Sequence, residues 1–591
     1  MIFPRPAKQE LLSGTYALKE DYTTFELVSF YNAIKDGKCE ISYAKNALLS
    51  NEEYYLSVND NGIELTAACD CGLFRGATSL LQLIKKHRGI IPCLYIEDKP
   101  EISRRGYMLD ISRCRMPKLE TYKKLIDFLS SLKYNELQIY MEGDCFKYSA
   151  YPKYTEDFDC LTASDIKELE VYCRERFIDL VPNQNSFGHL AIWLNKEEFS
   201  HLEIRNETTK TGTINPLLPE SFEFIGNLYE SLLPVFDSEY VNIGLDEAGG
   251  LGKFQVEEYC RKNGRGTLFM EWLNKLAALV KEKYGKKVMF WADMIYKYPE
   301  LYNLIPRDSV IMEWGYELIQ SQMMTDHAMT FRDAGLNYYV CPSCNTHKSF
   351  VGRMDVTTFN IRTSAEIATK YGAKGILLTD WGCGEGHPHF GVWSYVPIAL
   401  CGQYGWNTGA EQDGETFKAD FIRNSEDYVD EFFFGGVKVA RFMYRMANYY
   451  LLEPERVHVG TMCGAMFQYP ITQTNYAYLY DMADSGDAFY FDNVIGYVEK
   501  ILPDIEKLDF DEQHKREIIL NSKMIILAAE MNKLRIGVSL REERVRELLT
   551  LSEYIEKEYY DLWCRRNYEK GVELFLSFVA DRKKDLQNLL K

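Results

Sequence analysis

Between Gly106 and Asp380 the chain repeats one pattern: a short apolar run, a polar break, then a stretch with apolar positions at helical spacing. Eight such runs stand in order, at Gly106–Asp110, Glu136–Met141, Ile178–Pro182, Tyr240–Leu245, Val288–Trp291, Val310–Trp314, Asn337–Cys341 and Gly375–Asp380. Leu119, Tyr122, Leu125, Ile126 and Leu129 place a helix over about 118–132, and Thr162-Ala-Ser-Asp165 reads as the cap of the next. Nearly continuous apolar strands alternating with helices require a parallel sheet with covered faces. Eight units over about 300 residues fit an α/β fold of the (β/α)8 TIM barrel type. The rival is a doubly wound open sheet, but no glycine-rich phosphate loop follows any strand, which weighs against it.

A chain of 591 residues is too long for one core, so the flanks are read as separate domains. Residues 1–98 read as a small N-terminal α/β domain. In it, Tyr54–Val58 alternates like a strand, Asn59-Asp-Asn-Gly62 turns, and Ile63–Ala67 returns. Leu73, Ala77, Leu80, Leu81 and Ile84 mark one face of a helix over about 73–86, and Ile96-Glu-Asp-Lys-Pro100 reads as a linker. The barrel is assigned to 99–410. Residues 411–591 read as an α-helical C-terminal domain, with Ile518, Ile519, Ser522, Ile525, Ile526 and Ala529 at helical spacing. Its expected role is packing, against the barrel or against a second copy of the chain in a homodimer.

A formal net charge of −19 argues against nucleic acid and against anionic membrane surfaces as partners. No run of about 18 apolar residues suggests a membrane span, and the start carries no apolar leader. Scattered cysteines, odd in number at 15, then read as reduced thiols in the cytoplasm.

In a parallel barrel, chemistry collects at the C-terminal strand ends. Here those ends are rich in polar and aromatic side chains. The fourth run leads into Asp246-Glu247-Ala-Gly-Gly, two adjacent carboxylates followed by flexible backbone. Taken alone, this is also how a polar turn reads. Two carboxylates side by side repel, so one pKa is expected to rise and leave that group able to donate a proton near neutrality. The other strand ends supply Tyr140-Met-Glu142, Asn183-Gln-Asn185 with His189, Trp291-Ala-Asp293, Glu313-Trp314-Gly-Tyr316, and Asp380-Trp381 with Glu385. Tryptophans and acids around a barrel mouth describe a sugar pocket, with aromatic walls for ring faces and acids for hydroxyls.

A set of short motifs in order resembles glycoside hydrolase family 20, the β-N-acetylhexosaminidases. Arg105-Gly-Tyr-Met-Leu-Asp110-Ile-Ser-Arg113 is similar to that family's first barrel strand, and Asp246-Glu247 to its acid pair. Phe187-Gly188-His189 is similar to its Pro-Gly-His. Gly72-Leu-Phe-Arg-Gly76 and Ile96-Glu-Asp98-Lys-Pro100 resemble its small domain ahead of the barrel. The resemblance covers about residues 50–400, and the helical C-terminal domain is like that of a bacterial branch.

The resemblance implies exo-acting, retaining hydrolysis of terminal β-linked GlcNAc or GalNAc, in which the substrate's 2-acetamido oxygen attacks the anomeric carbon. It implies Glu247 as acid and then base, and Asp246 as the group that orients the acetamido N–H. It also implies Arg105 on the sugar hydroxyls, a cup of Trp291, Trp314 and Trp381, and a seventh-strand tyrosine on the acetamido oxygen. Tyr339 is the candidate for that tyrosine, with Tyr338 and Tyr316 as alternatives. Glu142, Asn185, His189, Asp293 and Glu385 complete the candidate substrate-binding set. The chain departs from the family at Leu245, where a second glycine is usual, at Phe187, and at Cys383, where an acid is usual. Neither cofactor nor metal is implied. Cys341-x-x-Cys344-x-x-His347 beside His387-Pro-His389 has zinc-like spacing but lacks a matching second cysteine pair. The alternatives are another barrel hydrolase, acetamido-assisted or metal-dependent, and a sugar-binding relative without turnover.

Overall fold

The computed structural model describes residues 2–156, 159–382, 384, 386–409, 414–472 and 488–591, with backbone alone over 414–419. Among the described residues, the first five strands are β1 (Lys8–Ala17), β2 (Ser42–Lys45), β3 (Tyr54–Asn59), β4 (Gly62–Ala67) and β5 (Ile90–Asp98). They form one sheet in the order β1-β5-β3-β4-β2. The β3–β4 hairpin turns where Asn59 faces Gly62, and Tyr54, Leu56 and Val58 alternate inward as the sequence pattern requires. Ile96-Glu-Asp98 is not a linker. It is the end of β5, paired with both β1 and β3.

Helices α1 (Leu27–Lys35) and α2 (Asp70–His87) cover this sheet. One face of α2 packs on the sheet, and its other side reaches the barrel base, where Arg75 donates to the carbonyls of Tyr134 and Phe177. That second contact explains why α2 is buried almost all round.

Eight parallel strands then close into a barrel: β6 (Arg104–Asp110), β7 (Glu136–Met141), β8 (Asp179–Gln184), β9 (Tyr240–Asn242), β10 (Lys287–Trp291), β11 (Val310–Trp314), β12 (Asn337–Cys341) and β13 (Gly375–Asp380). Each pairs with its sequence neighbour, and β13 pairs with β6 to close the ring. Helices α3 (Leu119–Ser131) and α4 (Ala163–Arg174) lie where the periodicity places them. Thr162 and Asp165 form the expected capping box. Met108, Val181, Met289, Met312, Cys341 and Leu377 fill the barrel interior, so the ring is a packed core with its mouth at the C-terminal rim.

The helical C-terminal region, which includes Phe489–Glu506, Glu512–Arg535, Glu542–Arg566 and Val572–Asn588, shares one continuous apolar core with the barrel. The N-terminal sheet has its own core, into which the barrel inserts Trp406.

A buried ionic network joins that sheet to the barrel base. Glu52 Oε1 accepts from Arg75 Nε at 2.9 Å and from Arg105 Nη2 at 2.6 Å. Lys133 Nζ meets Asp98 Oδ2 at 2.8 Å, and Trp406 Nε1 donates to the other Asp98 oxygen. Burial alone would raise the Glu52 carboxyl, but the two guanidiniums outweigh it and bring it down to about 2.

Candidate active site

β9 ends early because the chain leaves its ladder in a left-handed turn. Gly244 has φ 73°, Leu245 φ 75° and Glu247 φ 44°. At Gly244 only glycine fits, since a Cβ would stand 2.4 Å from Asn185 Oδ1. Leu245, fully buried, adopts the same region at a cost of about 1–3 kcal/mol. The loop after β8 presses on the turn from one side: a Cβ on Gly188 would lie 2.3 Å from the Asp246 carbonyl oxygen. From the other side Asp293, just past β10, accepts the Glu247 backbone N–H at 2.9 Å. The turn is thus clamped between two neighbouring strand ends.

The clamp separates the two carboxylates by environment. Asp246 is buried, and its Oδ1 accepts from Asn185 Nδ2 at 2.9 Å. The Glu247 side chain is 58% exposed at the mouth. His189 Nε2 lies 3.4 Å from Asp246 Oδ2 and 3.1 Å from Glu247 Oε2, while its Nδ1 lies 3.2 Å from Glu142 Oε1. Burial opposes a charge on this ring, but the Asp246 charge and the carboxylate contacts hold its pKa well above the usual histidine value. Asp246 answers in kind. Burial would raise it, yet His189 and the Asn185 hydrogen bond keep it below the ordinary aspartate value. The expected rise therefore does not fall on Asp246. Outside the pair, burial and the nearby Asp246 charge push Asp293 up to about 7.

The aromatic wall stands beside this group. Trp291 and Trp381 are 5.8 Å apart, Tyr140 meets Trp381 edge-on at 4.7 Å, and Trp314 stacks on Tyr316 at 5.2 Å. Trp381 Nε1 donates to the Tyr316 hydroxyl at 2.8 Å. Trp291 Nε1 is buried without a hydrogen-bond partner among the described residues. Arg113 closes the ring of groups: it pairs with Asp110 and with Glu142, and its guanidinium lies over Tyr140 at 5.3 Å and over Trp381 at 5.5 Å.

Asp246, Glu247, Glu142, Asn185, His189, Asp293, Trp291, Trp314 and Trp381 accordingly gather at one rim. Two expected residues do not. Arg105 begins β6 rather than ending it, so it sits at the barrel base, 1% exposed, held by Glu52 and the Lys133 carbonyl. Tyr339 is likewise near the base, its hydroxyl on Glu136 and Arg104. Tyr338 points outward to the Tyr371 carbonyl, which leaves Tyr316 as the tyrosine at the mouth. Glu385 and Cys383 lie outside the described residues.

Arg113 and Tyr140 were missed as site residues. The signal for Arg113 is strand direction: it follows β6 by three positions, on the rim side, whereas Arg105 lies at that strand's start. Among the described residues, no group of three or more His, Cys, Asp or Glu could hold a metal ion. Cys341 instead packs in the barrel interior.

Comparison with known proteins follows the same lines. The family model described as the catalytic domain of glycosyl hydrolase family 20 matches residues 103–367. The model of that family's domain 2 matches residues 22–99. A β-hexosaminidase of Vibrio furnissii is 27% identical over 322 residues, which cover 47% of this chain and 51% of that protein. A lacto-N-biosidase of Bifidobacterium bifidum is 23% identical over 343 residues, 56% of this chain but 30% of that longer protein. The chain thus spans about half, or less, of these curated relatives. Among solved structures, a β-N-acetylhexosaminidase of Bacteroides fragilis superposes with a TM-score of 0.58 at 20% identity, over 73% of this chain and 96% of that one. A Flavobacterium johnsoniae chitobiase matches 98% of this chain and 99% of its own, the helical C-terminal region included, with a TM-score of 0.59 at 17% identity. With the barrel and the preceding small domain both matched, more than half its length in all, the chain belongs to glycosyl hydrolase family 20.

Proposed function

We propose that the protein is an exo-acting, retaining β-N-acetylhexosaminidase that removes terminal β-linked GlcNAc or GalNAc with the help of the substrate's own 2-acetamido group. One observation carries this reading. Of two adjacent carboxylates, Asp246 is fixed as a buried anion by Asn185 and His189, while Glu247 reaches into the open mouth. Such a pair has one member built to hold still and one free to move a proton.

In the first step Glu247 gives its proton to the glycosidic oxygen as that bond breaks. The acetamido oxygen attacks C1 from the opposite face, and an oxazolinium ion forms. Asp246 accepts the acetamido N–H, and its charge stabilises the positive charge that develops there. Its position is set before substrate arrives, so little reorganisation is needed. In the second step the Glu247 carboxylate takes a proton from water, which attacks C1, reopens the ring and leaves a product of retained configuration. Trp291 and Trp381 supply apolar faces for the acetamido methyl and the sugar ring, with Trp314 beside them, and the Tyr316 hydroxyl is the donor to the acetamido oxygen. Arg113 presents its guanidinium to the sugar's hydroxyls. His189, charged and shared between Asp246, Glu247 and Glu142, holds the acids in register.

The test is leaving-group dependence in Glu247→Gln. Turnover of a disaccharide or alkyl glycoside should fall by about 100-fold or more, while an aryl glycoside with a good leaving group loses far less in its first step. Equal losses on both would remove Glu247 as the acid. Binding of a thiazoline mimic by the wild-type protein, with no turnover of any β-GlcNAc glycoside, would identify a binding protein instead.

A further inference from the structure

A second cavity lies away from the catalytic mouth, where the loop after β6 and helix α3 meet the C-terminal helix Glu542–Arg566. Its volume is about 80 Å³, room for several waters or one small ion with a few heavy atoms. Its walls include Phe433 and Trp563, and they are largely apolar.

Three polar groups in this cavity lack partners among the described residues. Arg115 is 6% exposed, and its guanidinium makes no hydrogen bond and no ion pair. Tyr122 is fully buried with a hydroxyl that bonds to nothing. His389 is 2% exposed, and neither ring nitrogen has a hydrogen-bond partner. The nearby carboxylate, Asp380, feels the charges of Arg115 and His389 but hydrogen-bonds to none of the three. Asp380 is committed to Tyr107 at 2.6 Å, Ser394 at 2.7 Å and Thr346 at 2.8 Å. It comes no nearer than 3.9 Å to His389. The other guanidinium in the lining, Arg566, is already matched by Glu517.

A buried guanidinium with no direct partner is costly, because burial strips its water and the Asp380 charge, held by other donors, balances it only from a distance. Buried polar groups in folded proteins nearly always find a partner. Water could solvate the three groups but would not neutralise the charge. A cluster of donors around one cation suits an acceptor that carries negative charge on more than one oxygen.

We propose that this cavity binds a small oxyanion, a carboxylate or an inorganic phosphate, which takes the Arg115 guanidinium, the Tyr122 hydroxyl and a ring N–H of His389. The ion then ties the loop that carries Arg113 to α3 and to the loop after β13. Its apolar walls suit a short carboxylate such as acetate, whose methyl needs no hydrogen bond. This site does not depend on the reaction proposed above.

The full chain is dialysed into a zwitterionic buffer poor in small anions, and its Tm is followed while sodium acetate or sodium phosphate replaces sodium chloride at constant ionic strength. The expected result is a saturable rise of a few degrees with one oxyanion and none with chloride. Arg115→Met should not respond, and without added oxyanion it should melt no lower than wild type, because it discards an unmatched charge. Tyr122→Phe keeps the packing and the charge but loses one donor, so its midpoint for the oxyanion should move about tenfold higher. This second variant serves even if Arg115→Met does not fold. Acetate or phosphate as the effective ion identifies which source the site takes. No saturable response in wild type means the cavity holds water and overturns the proposal. A response that survives unchanged in the variants puts the ion elsewhere, at Arg113 for instance, and overturns it equally.

Discussion

At the scale of residues, the acid turn is governed by a third carboxyl that touches its backbone. Asp293 accepts the Glu247 N–H with Oδ2, while its Oδ1 is buried without a hydrogen-bond partner among the described residues. Burial and the Asp246 charge raise its pKa from 3.8 to about 7. The folded value lies above the unfolded one, so the stability this group lends is full below about pH 4 and is lost as pH rises through 7. Asp293→Asn resembles the protonated form and still offers an oxygen to the Glu247 N–H. It should raise Tm over wild type at pH 8, by on the order of a few kcal/mol in stability, and the gap should close toward pH 5. Melting curves of both proteins across that range check this. A gap that does not change with pH would mean Asp293 is not titrating there.

At the scale of elements, the clamp on the acid turn depends on how closely β8 and β9 deliver their loops. Gly188 is the contact point, and its neighbour is backbone that cannot rotate aside. Gly188→Ala should therefore push the Asp246-Glu247 turn outward. A displacement near 1 Å at such a site lowers kcat/KM by roughly 100-fold, and steady-state kinetics on an aryl β-GlcNAc would detect it. Unchanged kinetics would mean the turn adapts. The elements themselves were legible in the sequence. Glu136–Met141, Val310–Trp314, Asn337–Cys341 and Gly375–Asp380 are strands at the bounds their apolar runs suggest, because strands buried on both sides must read as unbroken apolar stretches. β9 was read too long, since the apolar Ile243 and Leu245 leave the ladder in a turn that their side chains do not announce. Asp246, Glu247 and the three tryptophans were legible because the rim is where strands end. Arg105 was not, because its partner Glu52 lies in another domain and gives no local sign. Tyr339 fails on depth: its inward side chain points to the barrel base, where its hydroxyl meets Glu136 and Arg104.

At the scale of the whole molecule, the two arginines of the first strand region serve two different ends of the barrel. Arg105 locks the N-terminal sheet to the base through Glu52, and Arg113 faces the mouth. Arg105→Met strips a buried carboxylate of its 2.6 Å partner and should cost about 3–5 kcal/mol of stability, while the folded fraction keeps its kcat/KM. Arg113→Lys keeps the charge but loses the planar fork, and should lower kcat/KM about tenfold or more with little change in Tm. Thermal melts and kinetics on the same preparations separate the two roles, and an activity loss confined to the Arg105 variant would reverse the assignment. The C-terminal helices act on the same rim from outside. Glu317, one residue past Tyr316, pairs with Arg353 at 2.8 Å and accepts the Val459 N–H at 2.7 Å. Arg353 reaches on to Asn345 in the loop after β12. The shared core and these ties give the mouth a wall that the barrel does not build alone.

The central claim is that the sugar's own amide attacks C1 while Asp246 and Glu247 assist. It is tested most directly by comparing kcat/KM for 4-nitrophenyl β-GlcNAc with that for 4-nitrophenyl β-glucoside, which differs only at C2. Because an intramolecular nucleophile is worth many orders of magnitude, the glucoside should be cleaved at least about 1,000-fold more slowly. Rates within about tenfold of each other would contradict the account.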